Sequence, residues 1–361
     1  MKSSIGWLVP SLIEGSGGIR EIFHKINALV AHGYECHAYI QQTDPAEAIA
    51  DQIDSYYGGC QAEIHSGWEL QQDHDLLFAT IWWSGELVAA SEALQAYMIQ
   101  DFEAWFNPMG DGFLMAERSY RRGLHPVTLG RWLPALLHAR YGAQARFFDF
   151  CAETHRYFPQ PDRKPEELSL CFIHQPEKPR RCAEIGLQAL ELVKRARPEV
   201  KIYLYGANAK AAATFEHVNL GILRGPEINR LYNETSLGLC LSSSNPSRIP
   251  FEMMAAGLPV VDIWRENNVY DFPEEGVLLA QPTPEAIAHA VCSLLDDADR
   301  RRAMGAFGPG FMKERSMEVE YAQFAQAVDL IFDGTFYDSM PPVPQPIYRK
   351  PAVTGATGGL S

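Results

Sequence analysis

The chain has 361 residues, 47% of them apolar, and a formal net charge of −14. That length predicts two domains with sizeable cores, and so acidic a chain is not a general nucleic-acid binder, although it tolerates a local basic patch. Seven cysteines (Cys36, Cys60, Cys151, Cys171, Cys182, Cys240 and Cys292) form no CxxC pair, and several sit in apolar runs. They read as reduced core thiols of a cytoplasmic protein and not as a disulfide framework or zinc site.

The opening MKSSIGWLVPSLIEG carries one lysine and an apolar run broken by Pro10 and Glu14, which reads as a first strand and not a signal peptide. No run approaches the roughly 18 apolar residues of a membrane span. Ile5–Val9 is a buried strand, Glu14-Gly15-Ser16-Gly17-Gly18 a tight loop, and Ile19, Ile22, Phe23, Ile26, Leu29 and Val30 the apolar face of a helix that Gly33 ends. Cys36–Ile40 is the next strand. This unit opens a Rossmann-like domain whose glycine loop fits either a ligand or a simple turn.

A helix near Pro45–Tyr57 and strands near Ala62–Ile64, Leu76–Ala79 and Ala96–Ile99 follow, and strands separated by helices imply a parallel sheet. The last of these runs into Asp101 and Glu103, two carboxylates at the carboxyl end of a strand, which is the ligand side of an open α/β sheet. Their types suit acid, base or acceptor-orienting work, as they also suit an ordinary loop. Phe113–Arg140 reads as helical with a break near Gly123–Thr128. Its Arg118, Arg121, Arg122, Arg131, Arg140 and Trp132 fit a phospholipid surface, an anionic acceptor or a solvated helix face. Phe147–Phe150 closes the series, and the proline-rich Pro159–Pro165 is the expected domain boundary.

A second series begins with strand Leu168–Ile173, a turn to Pro179, helix Cys182–Ala196, and strand Lys201–Tyr205 ending at Gly206. After a short helix at Ile228–Tyr232 comes Ser236–Ile263, which reads as strand, polar loop, short helix and strand. The loop Ser242-Ser243-Ser244-Asn245-Pro246-Ser247 offers hydroxyls and N–H groups to an anion, Pro250 suits a first helical turn, and Glu252 lies in that turn. Arg180 and Arg181 precede a helix N-terminus, where cations oppose the dipole unless an anion binds there, so they read as a phosphate clamp or as a solvent-facing pair. Val277–Leu279 is a strand, Pro284–Leu295 and Glu318–Phe332 are helices, and the segment after Thr335 is an extended or disordered tail. Histidines 24, 155 and 174 are scattered, with no HxxxH or HExxH spacing to suggest a metal, and no GxSxG elbow is present.

Taken together, Gly17-Gly18, the PRR turn, the strand ending Leu204-Tyr205-Gly206 and the segment from Ser244 through Glu252 to Val261 resemble the GT-B glycosyltransferases of family 4. The stretches IQDFEAWFNPMGDGFLMAERSYRRG and TLGRWLPALLHARYGA are similar to bacterial rhamnosyltransferases that build S-layer glycans and O-antigens. The resemblance implies two facing Rossmann-like domains with parallel sheets: an acceptor domain over 1–160, a nucleotide-sugar donor domain over 166–316, a helix over 317–334 crossing back, and a tail over 335–361. It places Arg180 and Arg181 on the donor diphosphate, Glu252 on the ribose, and Ser244, Asn245 and Ser247 on phosphates and sugar. Gly206 joins the donor site, Gly17 and Gly18 face the diphosphate, and Asp101 and Glu103 meet donor sugar and acceptor. It further implies retention of anomeric configuration, no metal or other cofactor, a glycan or lipid-linked glycan acceptor, and peripheral membrane contact. The glutamate that the family carries eight residues before the ribose-binding one is Ser244 here. A deoxysugar donor needs fewer hydroxyl contacts, so dTDP-rhamnose is the first choice.

Overall fold

The computed structural model describes residues 3–208 and 211–355, and the chain divides into two compact units. Unit 1 comprises Met1–Asp149 and Glu320–Pro344, and unit 2 comprises Phe150–Val319 and Gln345–Ser361.

Unit 1 runs β1 (Ser4–Val9), α1 (Gly17–His32), β2 (Glu35–Ile40), α2 (Ala46–Tyr57), β3 (Glu63–Ser66), β4 (Leu76–Ala79), α3 (Trp82–Ala89), β5 (Leu94–Ile99), α4 (Asp111–Ser119), β6 (His125–Leu129), α5 (Trp132–Tyr141) and β7 (Arg146–Phe148). Every pairing in its sheet is parallel, in the order β3-β2-β1-β4-β5-β6-β7. The helical spacing read from the sequence is the buried face of α1, with Ile19, Ile22, Phe23, Ile26 and Leu29 all inside. Ser16 caps its start by accepting the Ile19 N–H, and Gly33, at φ 119°, ends it in the left-handed conformation that glycine adopts without strain.

Unit 2 contains β8 (Glu166–Ile173), α6 (Ala183–Ala196), β9 (Lys201–Tyr205), β10 (Val218–Asn219), α7 (Gly225–Glu234), β11 (Thr235–Leu239), α8 (Ile249–Ala255), β12 (Val260–Ile263), β13 (Val277–Ala280), α9 (Pro284–Asp296) and α10 (Ala298–Lys313). The final helix, α11 (Met317–Phe332), begins in unit 2 and belongs to unit 1 from Glu320 onward. The second sheet is also parallel throughout, ordered β10-β9-β8-β11-β12-β13. A Cβ on Gly238 of β11 would lie 2.5 Å from the Met253 sulfur, so the glycine lets α8 lie directly on the strand.

Several expectations change. The break expected inside one helix over 113–140 is strand β6, because Val127 and Thr128 pair with strands on both sides. Helix α10 carries no helical apolar stripe in a run containing Gly305, Gly308, Pro309 and Gly310. Its small residues serve packing: a Cβ on Gly308 would meet the Met254 carbonyl oxygen at 2.5 Å. The boundary lies at 149/150 and not in the proline-rich 159–165 stretch. That stretch is fastened to unit 2, since Asn229 and Asn233 of α7 accept the N–H groups of Phe158 and Gln160 at 3.1 and 2.8 Å.

The segment after Thr335 is extended but anchored as far as it is described. Phe336 is buried against unit 1, where Arg146 donates to its carbonyl at 2.8 Å. In unit 2, Tyr348 is buried, its hydroxyl accepting the Leu279 N–H at 3.1 Å, and Gln281 donates to the Val353 carbonyl at 2.8 Å. The remainder of the expected tail, 356–361, lies outside the described residues.

A buried ionic triad ties the returning chain into unit 1. Lys25 of α1, fully buried, donates to Glu21 and to Glu320 of α11, with its ammonium 4.7 Å from the Phe148 ring centroid. Removing the cation strands two buried carboxylates, so Lys25→Ala should cost about 3–5 kcal/mol in chemical denaturation, against a much smaller loss for a surface lysine such as Lys350. An unchanged midpoint would remove the triad from the account of stability.

Candidate functional site

In open α/β sheets, ligands settle outside the carboxyl ends of the strands, at the point where strand order reverses. In unit 2 that point lies between β8 and β11. The connection leaving β8 carries Arg180 and Arg181 in a short 3-10 turn, and the connection leaving β11 carries Ser242–Ser247. Because β8 and β11 are parallel neighbours, the two connections meet: the Ser243 N–H donates to the Arg180 carbonyl at 3.0 Å.

Arg181 is nearly buried, and its guanidinium donates to the Ser242 hydroxyl at 2.5 Å and to the Asn245 side-chain oxygen at 3.3 Å. A charged donor makes each such bond worth about 1.5–3 kcal/mol. Arg181 is therefore a strut that shapes the serine loop, and not one of a solvent-facing pair. Arg180 is half-buried beside it. Cys182, which leads into α6, has φ 50°, unusual outside glycine and a sign that the turn is held by its surroundings.

Below the loop, Asp262 of β12 is completely buried, with one carboxylate oxygen accepting the Ser242 N–H at 3.0 Å and the Ile263 N–H at 2.7 Å. Burial pushes its carboxyl well above the usual range, opposed by those two N–H groups and then by the Arg181 charge. Asn268, also fully buried, donates to the Ser242 carbonyl at 3.3 Å and to the Ile263 carbonyl at 2.7 Å. The sequence reading overlooked this polar support. Its one visible signal was a carboxylate inside the apolar strand VVDI.

The other expected donor residues of unit 2 share this edge. Ser244 is buried, Asn245 half-buried, and Ser247 buried at φ 67° with its hydroxyl accepting the Ile249 N–H at 3.4 Å. Glu252 is 6% exposed in the first turn of α8, close enough for its charge to act on the Tyr205 and Tyr232 phenols, which are hydrogen-bonded at 2.7 Å. Gly206 ends β9 at φ 103°, where a Cβ would also lie 3.0 Å from Ile173, so glycine is demanded twice over.

In unit 1 the order reverses between β1 and β4, and Gly17 and Gly18 begin α1 just after β1. Only Gly15 in that loop has a left-handed φ, at 72°. A Cβ on Gly17 would meet nothing within 4 Å, and one on Gly18 nothing nearer than 3.7 Å.

Asp101 and Glu103 follow β5, and both are buried, at 5% and 6% exposure. One Asp101 oxygen accepts the Phe102 N–H at 2.9 Å. Glu103 accepts the Trp82 N–H at 2.7 Å, satisfying one of the otherwise unpaired donors at the start of α3. Burial pushes its carboxyl up to about 8, opposed by the Trp82 N–H and the Tyr97 phenol and reinforced by the Asp101 charge. Both carboxylates are thus engaged inside unit 1 in this structure, and are not the exposed loop pair that was the alternative reading of the sequence.

The arginines of 118–140 are engaged within unit 1: Arg122 and Arg118 with Glu86, Arg131 with Asp149 at 2.8 Å, Arg140 near Glu117, and Arg121 over the Tyr141 ring. Trp132 is buried. Among the described residues, no helix is long and apolar enough to cross a membrane.

A family model described as the C-terminal domain of WsaF matches residues 168–292, which span β8 to α9 and contain the whole unit 2 edge. No curated protein sequence matches the chain. Solved structures do. Sucrose-phosphate synthase (tll1590) from Thermosynechococcus elongatus is 14% identical, with a TM-score of 0.71 over 92% of this chain and 100% of that one. A glycosyltransferase from Rickettsia africae is 11% identical, with a TM-score of 0.66 over 94% and 99%. Anabaena Alr3699/HepE, in complex with UDP, is 12% identical, with a TM-score of 0.69 over 92% and 100%. The fold is accordingly the α/β GT-B fold of glycosyltransferases, two Rossmann-like units with parallel sheets.

A carboxyl neutral when folded and ionised when unfolded stabilises the fold at low pH. Glu103 should therefore contribute fully below about 4.5 and lose that contribution as pH rises through about 8. Over this window the loss is at most about 1.4 kcal/mol per pH unit. Glu103→Gln, which keeps the acceptor for Trp82, should flatten the slope in urea midpoints measured from pH 5 to 8; an identical slope in the variant would refute the assignment.

Proposed function

We propose that the protein is a retaining glycosyltransferase that moves a sugar from a nucleotide diphosphate donor to a growing glycan. The observation that carries this is the meeting, at the strand-order reversal of unit 2, of an arginine turn and a serine loop braced from beneath. In the proposal, Arg180 and the outer face of Arg181 hold the diphosphate, Ser244, Asn245 and Ser247 hold phosphate oxygens and sugar, and Glu252 takes the ribose hydroxyls, with Gly206 leaving room for the nucleotide. HepE, of like fold, has been solved with UDP and with UDP-glucose. L-Rhamnose from a dTDP donor is the sugar we favour, because Ser244 replaces a carboxylate that would read sugar hydroxyls.

Unit 1 contributes Gly17 and Gly18, whose lack of side chains neither backbone strain nor crowding requires. An approaching phosphate would supply the reason. Asp101 and Glu103 meet the donor sugar and the acceptor, with Glu103 also holding the start of α3 through the Trp82 N–H. In the reaction the bond from sugar C1 to the diphosphate oxygen breaks while a bond from C1 to the acceptor oxygen forms on the same face. The acceptor proton passes to the departing phosphate. The protein then supplies positioning and charge, chemistry for which it needs no metal or other cofactor.

A lipid-linked acceptor is our preferred form, reached by peripheral contact at the inner face of the membrane. Phe106, Met109, Leu114 and Met115 are exposed on and before α4, next to Arg118. Met109→Asp combined with Leu114→Asp should abolish co-sedimentation with anionic phospholipid vesicles; retained binding would remove this part of the proposal.

Ser244, in the place of the family's glutamate, favours one rival, a non-catalytic nucleotide-sugar or glycan binder that partners another transferase. A panel of nucleotide sugars separates the two, with binding read by calorimetry and turnover by release of nucleoside diphosphate. We expect both, and Arg180→Ala should weaken donor binding by roughly 10- to 100-fold, one charged contact's worth. Binding without any turnover would favour the rival; no binding by the folded protein would sink both.

A further inference from the structure

We infer that His37, Glu63 and His65 form a binding site for a zinc-class divalent cation at the edge of the unit 1 sheet. The three side chains are brought together by strand register and not by sequence spacing. Glu63 and His65 lie two apart on β3, so they project from one face, and the parallel register sets His37 of β2 opposite Glu63. Their ligand atoms all lie within 4.8 Å of one another, the one such group of three among the described residues.

The spacing suits a tetrahedral ion. Metal–ligand bonds of about 2.0–2.1 Å separate neighbouring donor atoms by roughly 3.3 Å. Here His37 Nδ1 is 3.1 Å from His65 Nε2 and 3.5 Å from one Glu63 oxygen, while the other Glu63 oxygen is 3.9 Å from His65 Nε2. Two imidazole nitrogens and a carboxylate form a borderline donor set that favours zinc over calcium or magnesium.

The surroundings orient the ligands. The far nitrogen of His37, Nε2, faces a Glu35 oxygen at 3.3 Å, an acceptor for an Nε2 proton; the Gln72 amide nitrogen, 2.9 Å from the same atom, is compatible with that proton once the amide is turned to present its oxygen. With the proton there, Nδ1 turns its lone pair toward His65, the arrangement that a metal-ligating histidine requires. The His65 ring is fixed by stacking on Tyr39, centroids 4.5 Å apart. A third histidine, His74, packs on His37 but is not a ligand, because its two nitrogens already meet the Ser4 hydroxyl at 2.7 Å and the Tyr39 hydroxyl at 2.9 Å. His37 is buried, whereas the Glu63 side chain is 66% exposed, so an ion can enter from solvent and keep a water in the fourth position.

The group lies within β2 and β3, with Glu63 the first residue of β3, whereas Gly17 and Gly18 follow the carboxyl end of β1. An ion there pins the edge strand β3 to its neighbour and takes no part in sugar transfer. Its presence or absence therefore tests independently of the proposed reaction.

The test uses the full chain stripped of metal by a chelator, with zinc uptake followed by calorimetry and cobalt(II) uptake by its visible spectrum. One equivalent should bind, cobalt should give the intense absorption of a tetrahedral site, and zinc should raise the melting temperature. Glu63→Ala and His65→Ala, both at the sheet edge, should each weaken binding at least tenfold while retaining the circular dichroism of the parent. His155→Ala, at an exposed histidine elsewhere, should not change it. No uptake, or uptake unaltered in both edge variants, would overturn the inference.

Discussion

The edge of unit 2 depends on how one cation, Arg181, is held. Its guanidinium spans from the turn after β8 to the loop after β11 and joins the two sides of the strand-order reversal. Without it, the serine loop would lose the charged donor that links Ser242 to Asn245. Beneath it, Asp262 and Asn268 bind the backbone of Ser242 from both its N–H and its carbonyl. The loop is thereby preorganised, and an anion bound there would meet donors already in place.

Both units bury charge, and the cost is met in two ways. Lys25 is surrounded by two carboxylates and aromatic rings, so its charge is compensated within the core. Glu103 has no cation among its influences and at Asp262 the Arg181 charge is outweighed, so burial shifts both toward the neutral form while main-chain N–H groups take up one oxygen each. Neutral carboxyls of this kind serve as hydrogen-bonding braces. Glu103 braces the start of α3 in this way, at the strand end where its position suggested acid or base work.

Much of the architecture was legible because parallel strands buried on both faces read as apolar runs and because α1, α6 and α9 show an apolar stripe with clear ends. The Ser242–Glu252 loop and its flanking strands were visible for the same reason. What stayed hidden was long-range. Strand β6 looked like a helix break because its pairing partners, Ala96–Ile99 and Arg146–Phe148, are distant in sequence. Helix α10 was masked by glycines that close packing on α8 demands. The burial of Glu103 was hidden because the N–H that takes its oxygen belongs to Trp82, 21 residues earlier. The histidine group was invisible in principle, since two of its members belong to one strand and the third to another 26 residues away, counted from His37 to Glu63.

The central claim is that the braced arginine-serine edge of unit 2 holds a nucleotide diphosphate. A crystal structure of the protein with UDP or dTDP tests it most directly. The diphosphate should lie against Arg180 and Ser244–Ser247, with the ribose hydroxyls on Glu252 and the Ser242–Asn245 loop unmoved. A nucleotide bound away from this edge, or an edge left empty at saturating nucleotide, would contradict it.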